Sequence, residues 1–253
     1  MMRRAFMVQA AWAIAVCAAA QAQPLVLRTA AQEAAAPKFI LGQDGRVSGL
    51  CPDILHAIEK QDPQLRFEVD ATPNPIARLM HGMRSGQLDV VCALGISAER
   101  AAMAVSLPTA LYTVEERLVA RADDAVVVGS FAELAALREL VATQPGSTYV
   151  DTLRGHGIRV DTSSGDDLAA LRKILAGRLR FFYTSDLVAS YFIRTAGYEG
   201  KLRALPASFQ VRAMHFWVSR TLDPAVAMRL DKALASLRAS GELERLHRNY
   251  LAK

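Results

Sequence analysis

The sequence predicts an α/β protein of two lobes, the first interrupted by the second and completed by the C-terminus. Three observations carry this. Short apolar segments alternate with amphipathic helical stretches; the alternation runs twice, with no low-complexity linker between the runs; and the chain ends on a strand followed by two helices. Strands that alternate with helices are buried by pairing in parallel beneath them.

The elements follow in order. Leu25–Thr29 reads as a strand. Pro52-Asp53 opens a helix with Ile54, Leu55 and Ile58 on its apolar face, ending before Asp62-Pro63. Arg66–Asp70 is a second strand, and the helix from Pro75 carries Ile76, Leu79, Met80 and Met83 at i, i+3, i+4, i+7, with Gly86 placed to end it. Leu88–Leu94 follows as a buried strand. After a strand at Arg117–Arg121, Ser130 and Glu133 form a capping box, Glu139–Thr143 is a strand, and Gln144–Thr148 turns into another helix. Ile158–Asp161 is a strand, Leu168, Leu171, Ile174 and Leu175 make a helical stripe, and Leu179–Tyr183 is a buried strand with a helix after it. Met214–Val218 is the last strand. A long helix with Val226, Leu230, Leu234 and Leu237 is broken at Gly241, and Leu243, Leu246 and Tyr250 line a shorter one. Such a tail returns most economically to the first lobe, which divides the chain into 23–117, 118–211 and 212–253.

Residues 1–22 stand apart. Arg3 and Arg4 precede an almost wholly apolar Ala5–Ala20, and Ala20-Gln21-Ala22 has the small-x-small form of a cleavage site. This reads as a secretory signal peptide, too short and too rich in small residues for a membrane anchor, and bulky Val16 weakens a lipid-anchor reading at Cys17. The expectation is a soluble protein of the periplasm. Loss of Arg3 and Arg4 lowers the formal charge from +5 to +3, and the remaining basic residues are dispersed without aromatic interleaving, which speaks against a nucleic-acid partner. Five scattered histidines show no ligand spacing, so neither a metal nor a cofactor is expected. Cys51 and Cys92 remain after processing. In an oxidising compartment they can pair, or both can be small buried residues.

One residue sits oddly. In ISAERAAMAVSLP, residues 96–108, Ser97 has the look of a helix N-cap, which places Arg100 in a first turn where the helix dipole opposes a cation. It is either solvated or part of a site for something negative.

Taken with GLCPDILHAI (49–58), RLMHGMRSGQLDVV (78–91), PGSTY (145–149) and RLDKALASLRASGELERLHRNYL (229–251), that stretch resembles the bacterial extracellular solute-binding proteins of the polar amino-acid type, family 3, the periplasmic receptors of ABC importers. The resemblance covers essentially the whole chain after the leader. It implies a type II periplasmic-binding-protein-like fold: two lobes, each a mostly parallel sheet flanked by helices, joined by two hinge crossings that close on a ligand. It implies that Arg100 takes the ligand carboxylate, that Ser147, Thr148 and Tyr149 meet the ligand from the second lobe, and that Cys92, Ala93 and Gly95 offer acceptors to a ligand amine. Ser185 and Asp186 are the nearest match to the acidic residue that commonly binds that amine, although Asp186 equally suits a helix N-cap. Three departures stand out. Ala35 replaces an aromatic residue before Ala36-Pro37, Gly95 stands where Ser or Thr is common, and Asp186 lies one position out of register. The implied function is capture of a small polar carboxylate, an amino acid first, by a monomer that passes it to an inner-membrane permease. Two alternatives share the fold. One is a dehydratase similar to cyclohexadienyl dehydratase, with Asp186 or Glu33 as general acid near Arg100; the other is a soluble ligand sensor.

Overall fold

The computed structural model describes residues 23–251, so the leader read at residues 1–22 lies outside the described residues. The chain opens with β1 (Leu25–Gln32), a short hairpin of β2 (Ile40–Leu41) and β3 (Val47–Ser48), then α1 (Leu50–Gln61), β4 (Leu65–Asn74), α2 (Ile76–Ser85), β5 (Val90–Gly95) and α3 (Ala98–Met103). The 18-residue β6 (Ala104–Arg121) leads away from this group. There follow α4 (Phe131–Ala136), β7 (Leu140–Ala142), α5 (Thr148–Gly155), β8 (Arg159–Asp161), α6 (Asp167–Leu175), β9 (Phe181–Ser185), α7 (Asp186–Thr195) and β10 (Leu202–Ala204). Finally β11 (Gln210–Ser219) runs back beside β6 to α8 (Pro224–Ala239) and α9 (Glu242–Leu251).

The architecture is the expected two-lobed α/β fold, and its strand directions have a simple logic. Pairings inside a lobe are parallel: β1 with β4, and β7 with both β8 and β9. Apart from the β2–β3 hairpin, every antiparallel ladder involves β6 or β11, the two strands that cross between lobes. Each lobe has its own core. Leu27, Ile54, Ile58, Leu230 and Leu234 are buried together in one, so the two C-terminal helices complete the lobe that the N-terminus begins. Leu118, Val141, Phe181 and Tyr183, with Leu171, Ile174 and Phe182 on the other sheet face, build the second. At roughly 1.5–3 kcal/mol per fully buried large apolar side chain, two such cores hold each lobe as a unit.

Local chemistry places the ends that matter. Gly86 closes α2 in the left-handed conformation, with φ of 73°. Gly49, at φ 118°, starts α1; a Cβ there would stand 2.6 Å from the Pro37 carbonyl oxygen. The first amides of α1 therefore find their acceptors in the preceding loop: Leu50 N donates to Pro37 O at 3.0 Å, and Cys51 N to Lys38 O at 3.0 Å. Cys51 on α1 is joined to Cys92 on β5 by a disulfide that spans 41 residues of sequence.

Candidate functional site

Arg100 is where the helix-start reading put it. The Ser97 hydroxyl accepts from the Arg100 backbone N–H at 3.2 Å, capping α3 and fixing the side chain's origin. Arg100 as a whole is 6% exposed, so its side chain does not run into solvent. Its Nη1 donates to Gly95 O at 2.8 Å in its own lobe, and its Nη2 to Gly146 O at 3.3 Å in the other. Burial lowers the Arg100 pKa, Glu99 opposes that shift, and Arg212 adds to it. No carboxylate pairs with this guanidinium among the described residues.

Gly95 closes β5 beneath this group. A Cβ at Gly95 would lie 3.0 Å from Arg212 Cδ and 3.9 Å from Arg100 Nη1, so the missing side chain makes room for two arginines. Arg212, on β11, is tied through Nε to the fully buried Glu116 of β6, and Glu116 also accepts from the Tyr183 hydroxyl. A buried carboxylate needs such partners to stay charged. The pair bridges the two crossing strands, and Arg212 Nη2 reaches on to Gln210 Oε1 at 2.7 Å and to Thr152 of α5 at 3.4 Å.

The second-lobe turn is built from backbone. Gly146 takes φ of 71°, which allows the chain to present its carbonyl to Arg100. Ser147 stands at the N-cap of α5, but its hydroxyl donates to Gln144 O at 2.7 Å and does not cap the helix. The turn at Pro145-Gly146 puts the Gln144 carbonyl within reach of that hydroxyl. Thr148 begins the helix. The Tyr149 ring packs edge-on to Tyr183 at 5.6 Å, and its hydroxyl neighbours Ser185. Gln144 Nε2 crosses to Ala34 O at 2.8 Å, a direct link between the lobes.

The stretch Cys92-Ala93 departs from simple strand geometry. Between His215 and Trp217 the register of β11 against β5 shifts, and Ala93 adopts φ of 59°, which alanine rarely visits. Cys92 is fully buried in its disulfide. The Ala93 carbonyl is already occupied: Lys38 Nζ donates to it at 3.3 Å and to Gln32 Oε1 at 2.8 Å. Loss of solvent, helped by the nearby Arg100 charge, pushes the Lys38 ammonium down to about 7, with Asp167 pulling the other way. Asp167, the first residue of α6, is 4% exposed, and burial pushes its carboxyl up to about 7. Between the lobes a cavity of about 290 Å³ is lined by Gln32, Ala35 and Phe39 on one side and by Asp166, Asp167 and Phe192 on the other.

Ser185 and Asp186 divide the work expected of Asp186. The Ser185 hydroxyl caps α7 by accepting from Val188 N at 3.2 Å. Asp186 follows inside the helix, where its Oδ1 accepts from Leu187 N at 2.8 Å and from Glu115 N of the crossing strand β6 at 3.1 Å. The N-cap reading of Asp186 is therefore replaced by Ser185. Elsewhere, Asp89 holds the first lobe together through Arg28. Tyr183 is a core residue, and Trp217 is buried with its Nε1 on Leu94 O.

The family model of the bacterial extracellular solute-binding proteins, family 3, matches residues 27–253. The chain belongs to that family. No curated protein sequence matches this solute-binding protein. Many solved structures share its fold, among them the following three. A Wolinella succinogenes protein complexed with lysine, described as the binding component of an ABC transporter, superposes with a TM-score of 0.78 at 18% identity, covering 90% of this chain and 96% of its own. An ancestral arginine-binding protein bound to arginine gives 0.74 at 19%, covering 90% and 98%. The ancestral amino acid-binding protein AncCDT-1, a precursor of cyclohexadienyl dehydratase, gives 0.75 at 19%, covering 89% and 95%.

In this solute-binding protein the structure thus gathers Arg100, Gly95 and the Gly146–Ser147 turn, and ties Asp186, at the start of α7, to the backbone of β6. Sequence reading missed Gln32, Lys38, Glu116, Asp167 and Arg212. A signal did exist for three of them: Gln32, with Glu33, interrupts the alanines of 30–36, Lys38 stands between Pro37 and Phe39, and Asp167 is the spare member of an Asp-Asp pair of which Asp166 alone caps α6.

Proposed function

We propose that the protein is a periplasmic receptor that closes its lobes on a small carboxylate and delivers it, as a monomer, to an ABC permease of the inner membrane. The observation behind this reading is Arg100: a nearly solvent-free guanidinium suspended between carbonyls of the two lobes without a carboxylate of its own. A buried cation in that state is stabilised by an anion that offers two coplanar oxygens to its paired N–H groups. The lysine and arginine held by two of the structural neighbours each carry such a group. Gly95, Ser147 and Thr148 then serve through their backbones as walls of the site, with Tyr149 behind them.

A thermal-shift screen across amino acids, small dicarboxylates and aromatic acids tests this, since a ligand raises the unfolding midpoint with its affinity and concentration. Arg100→Met, folded by circular dichroism, is expected to weaken the binding of any carboxylate found by roughly a hundredfold, in line with losing one member of a buried charge pair. Unchanged affinity would remove Arg100 from the site.

A dehydratase reading has one observation in its favour: Asp167 keeps its proton to near neutral pH between the lobes. The general acids expected from sequence do not serve, because Asp186 is held by two backbone amides and Glu33 is exposed. Formation of an aromatic product from prephenate or arogenate would replace the receptor reading.

A further inference from the structure

The contacts of Lys38 bear on which carboxylate the site accepts. A ligand carrying an α-amine needs acceptors next to the guanidinium that holds its carboxylate. On this strand the Ala93 carbonyl, turned out by the left-handed backbone at that residue, would be one of them. It is taken by the ammonium of Lys38 at 3.3 Å. The second acceptor at that place, Gln32 Oε1, is taken by the same ammonium at 2.8 Å. Gln32 lines the cavity between the lobes, is 3% exposed, and its Nε2 has no partner, so a buried N–H donor is left there that an acceptor would satisfy. Across the gap Asp167 makes no hydrogen bond to Lys38 and feels its charge only through space; burial pushes its carboxyl up to about 7, so below neutral pH it offers a ligand an O–H and not an anion. The loop bearing Lys38 is fixed by the first amides of α1, so the ammonium is held in place by the fold and does not depend on a flexible stem alone.

We infer that the ligand is a small dicarboxylate without an α-amino group, one carboxylate on Arg100 and the other on Lys38 and the Gln32 amide. The inference rests on the receptor reading above and narrows it. Two cations and a free amide donor attract oxygen acceptors at both ends of the guest, while a ligand ammonium would meet Lys38 and Arg100 at close quarters and find the Ala93 carbonyl and Gln32 Oε1 taken. An anion beside Lys38 also restores the charge that desolvation weakens.

The test compares glutarate with glutamate, which has the same two carboxylates plus an amine, and with butyrate, which lacks one carboxylate; succinate and adipate vary the length. Titration calorimetry on the mature chain is expected to show the best dicarboxylate binding at least tenfold tighter than its amino counterpart. In Lys38→Met, and again in Lys38→Gln should the first be poorly folded, the advantage of dicarboxylate over monocarboxylate is expected to collapse to within about threefold. Glutamate or another amino acid binding as tightly as the dicarboxylates overturns this inference and leaves the receptor reading standing. So does a dicarboxylate preference that survives both Lys38 variants. Absence of binding by every carboxylate overturns both.

Discussion

Asp167 and Lys38 oppose each other between the lobes, each shifted by desolvation against its own charge. For Asp167 the sign is definite. Its folded pKa is raised from 3.8 to about 7, so between those values the native chain holds a proton that the unfolded chain has released, and stability falls as pH rises through that window. Asp167→Asn abolishes this slope. Urea denaturation of both proteins is expected to give equal stability near pH 4 and a variant advantage growing to roughly 2–4 kcal/mol by pH 7, flat beyond; a difference independent of pH would show that Asp167 is charged throughout. Legibility at this scale followed local rules. Arg100 could be found because Ser97 announces a helix start and a cation contradicts the dipole there. Lys38 and Asp167 could not be paired, because they lie on different lobes and only the closed fold brings them together.

The elements were legible wherever one face was buried and the other wet. Helix α2 shows its apolar stripe and its terminal glycine plainly, and the structure ends it at Gly86. Strand β6 shows neither. Only its last residues were read as a strand, because Pro108 interrupts the run and its neighbours change from one lobe to the other, leaving no steady alternation. The register of β11 against β6 slips beside that proline, and the freed amide of Thr109 donates to Asp231 of α8 at 2.9 Å. The bond from α1 to β5 belongs to this scale as well. Closing a 41-residue separation restricts the unfolded chain by about 4 kcal/mol on the loop-entropy account. The Cys51→Ala, Cys92→Ala double variant is therefore expected to unfold at a denaturant midpoint lower by a margin corresponding to about 3–4 kcal/mol, with an unaltered fold by circular dichroism. Equal midpoints would mean that the unfolded chain already keeps these segments together.

At the scale of the whole molecule, two crossing strands, the packing of α7 on α9 and a handful of polar contacts set how the lobes meet. Glu116 and Arg212 lock the crossings to each other, Leu187 of α7 packs into the core that α8 and α9 complete, and the Arg100–Gly146 and Gln144–Ala34 hydrogen bonds link the lobes directly. A hinge of this kind is a population balance, and a contact made only in the closed form biases it. Gln144→Ala deletes one such contact without touching the anion-binding residues. Small-angle scattering of the ligand-free variant is expected to show a larger radius of gyration than the wild type, with the difference removed by saturating ligand; identical curves would assign closure to the other contacts. The fold itself was legible in the order of strands and helices. The closed arrangement was not, since it depends on side chains a hundred residues apart. One covalent bond gives the arrangement a further property. Cys51 belongs to the amide network that seats the Lys38 backbone, and Cys92 adjoins the carbonyl on which that ammonium rests, so the sulfur bridge clamps the root of this side chain to the acceptor at its tip. Chain made in a reducing cytosol keeps every residue of the site yet loses the setting, and its selectivity should blur before its fold fails.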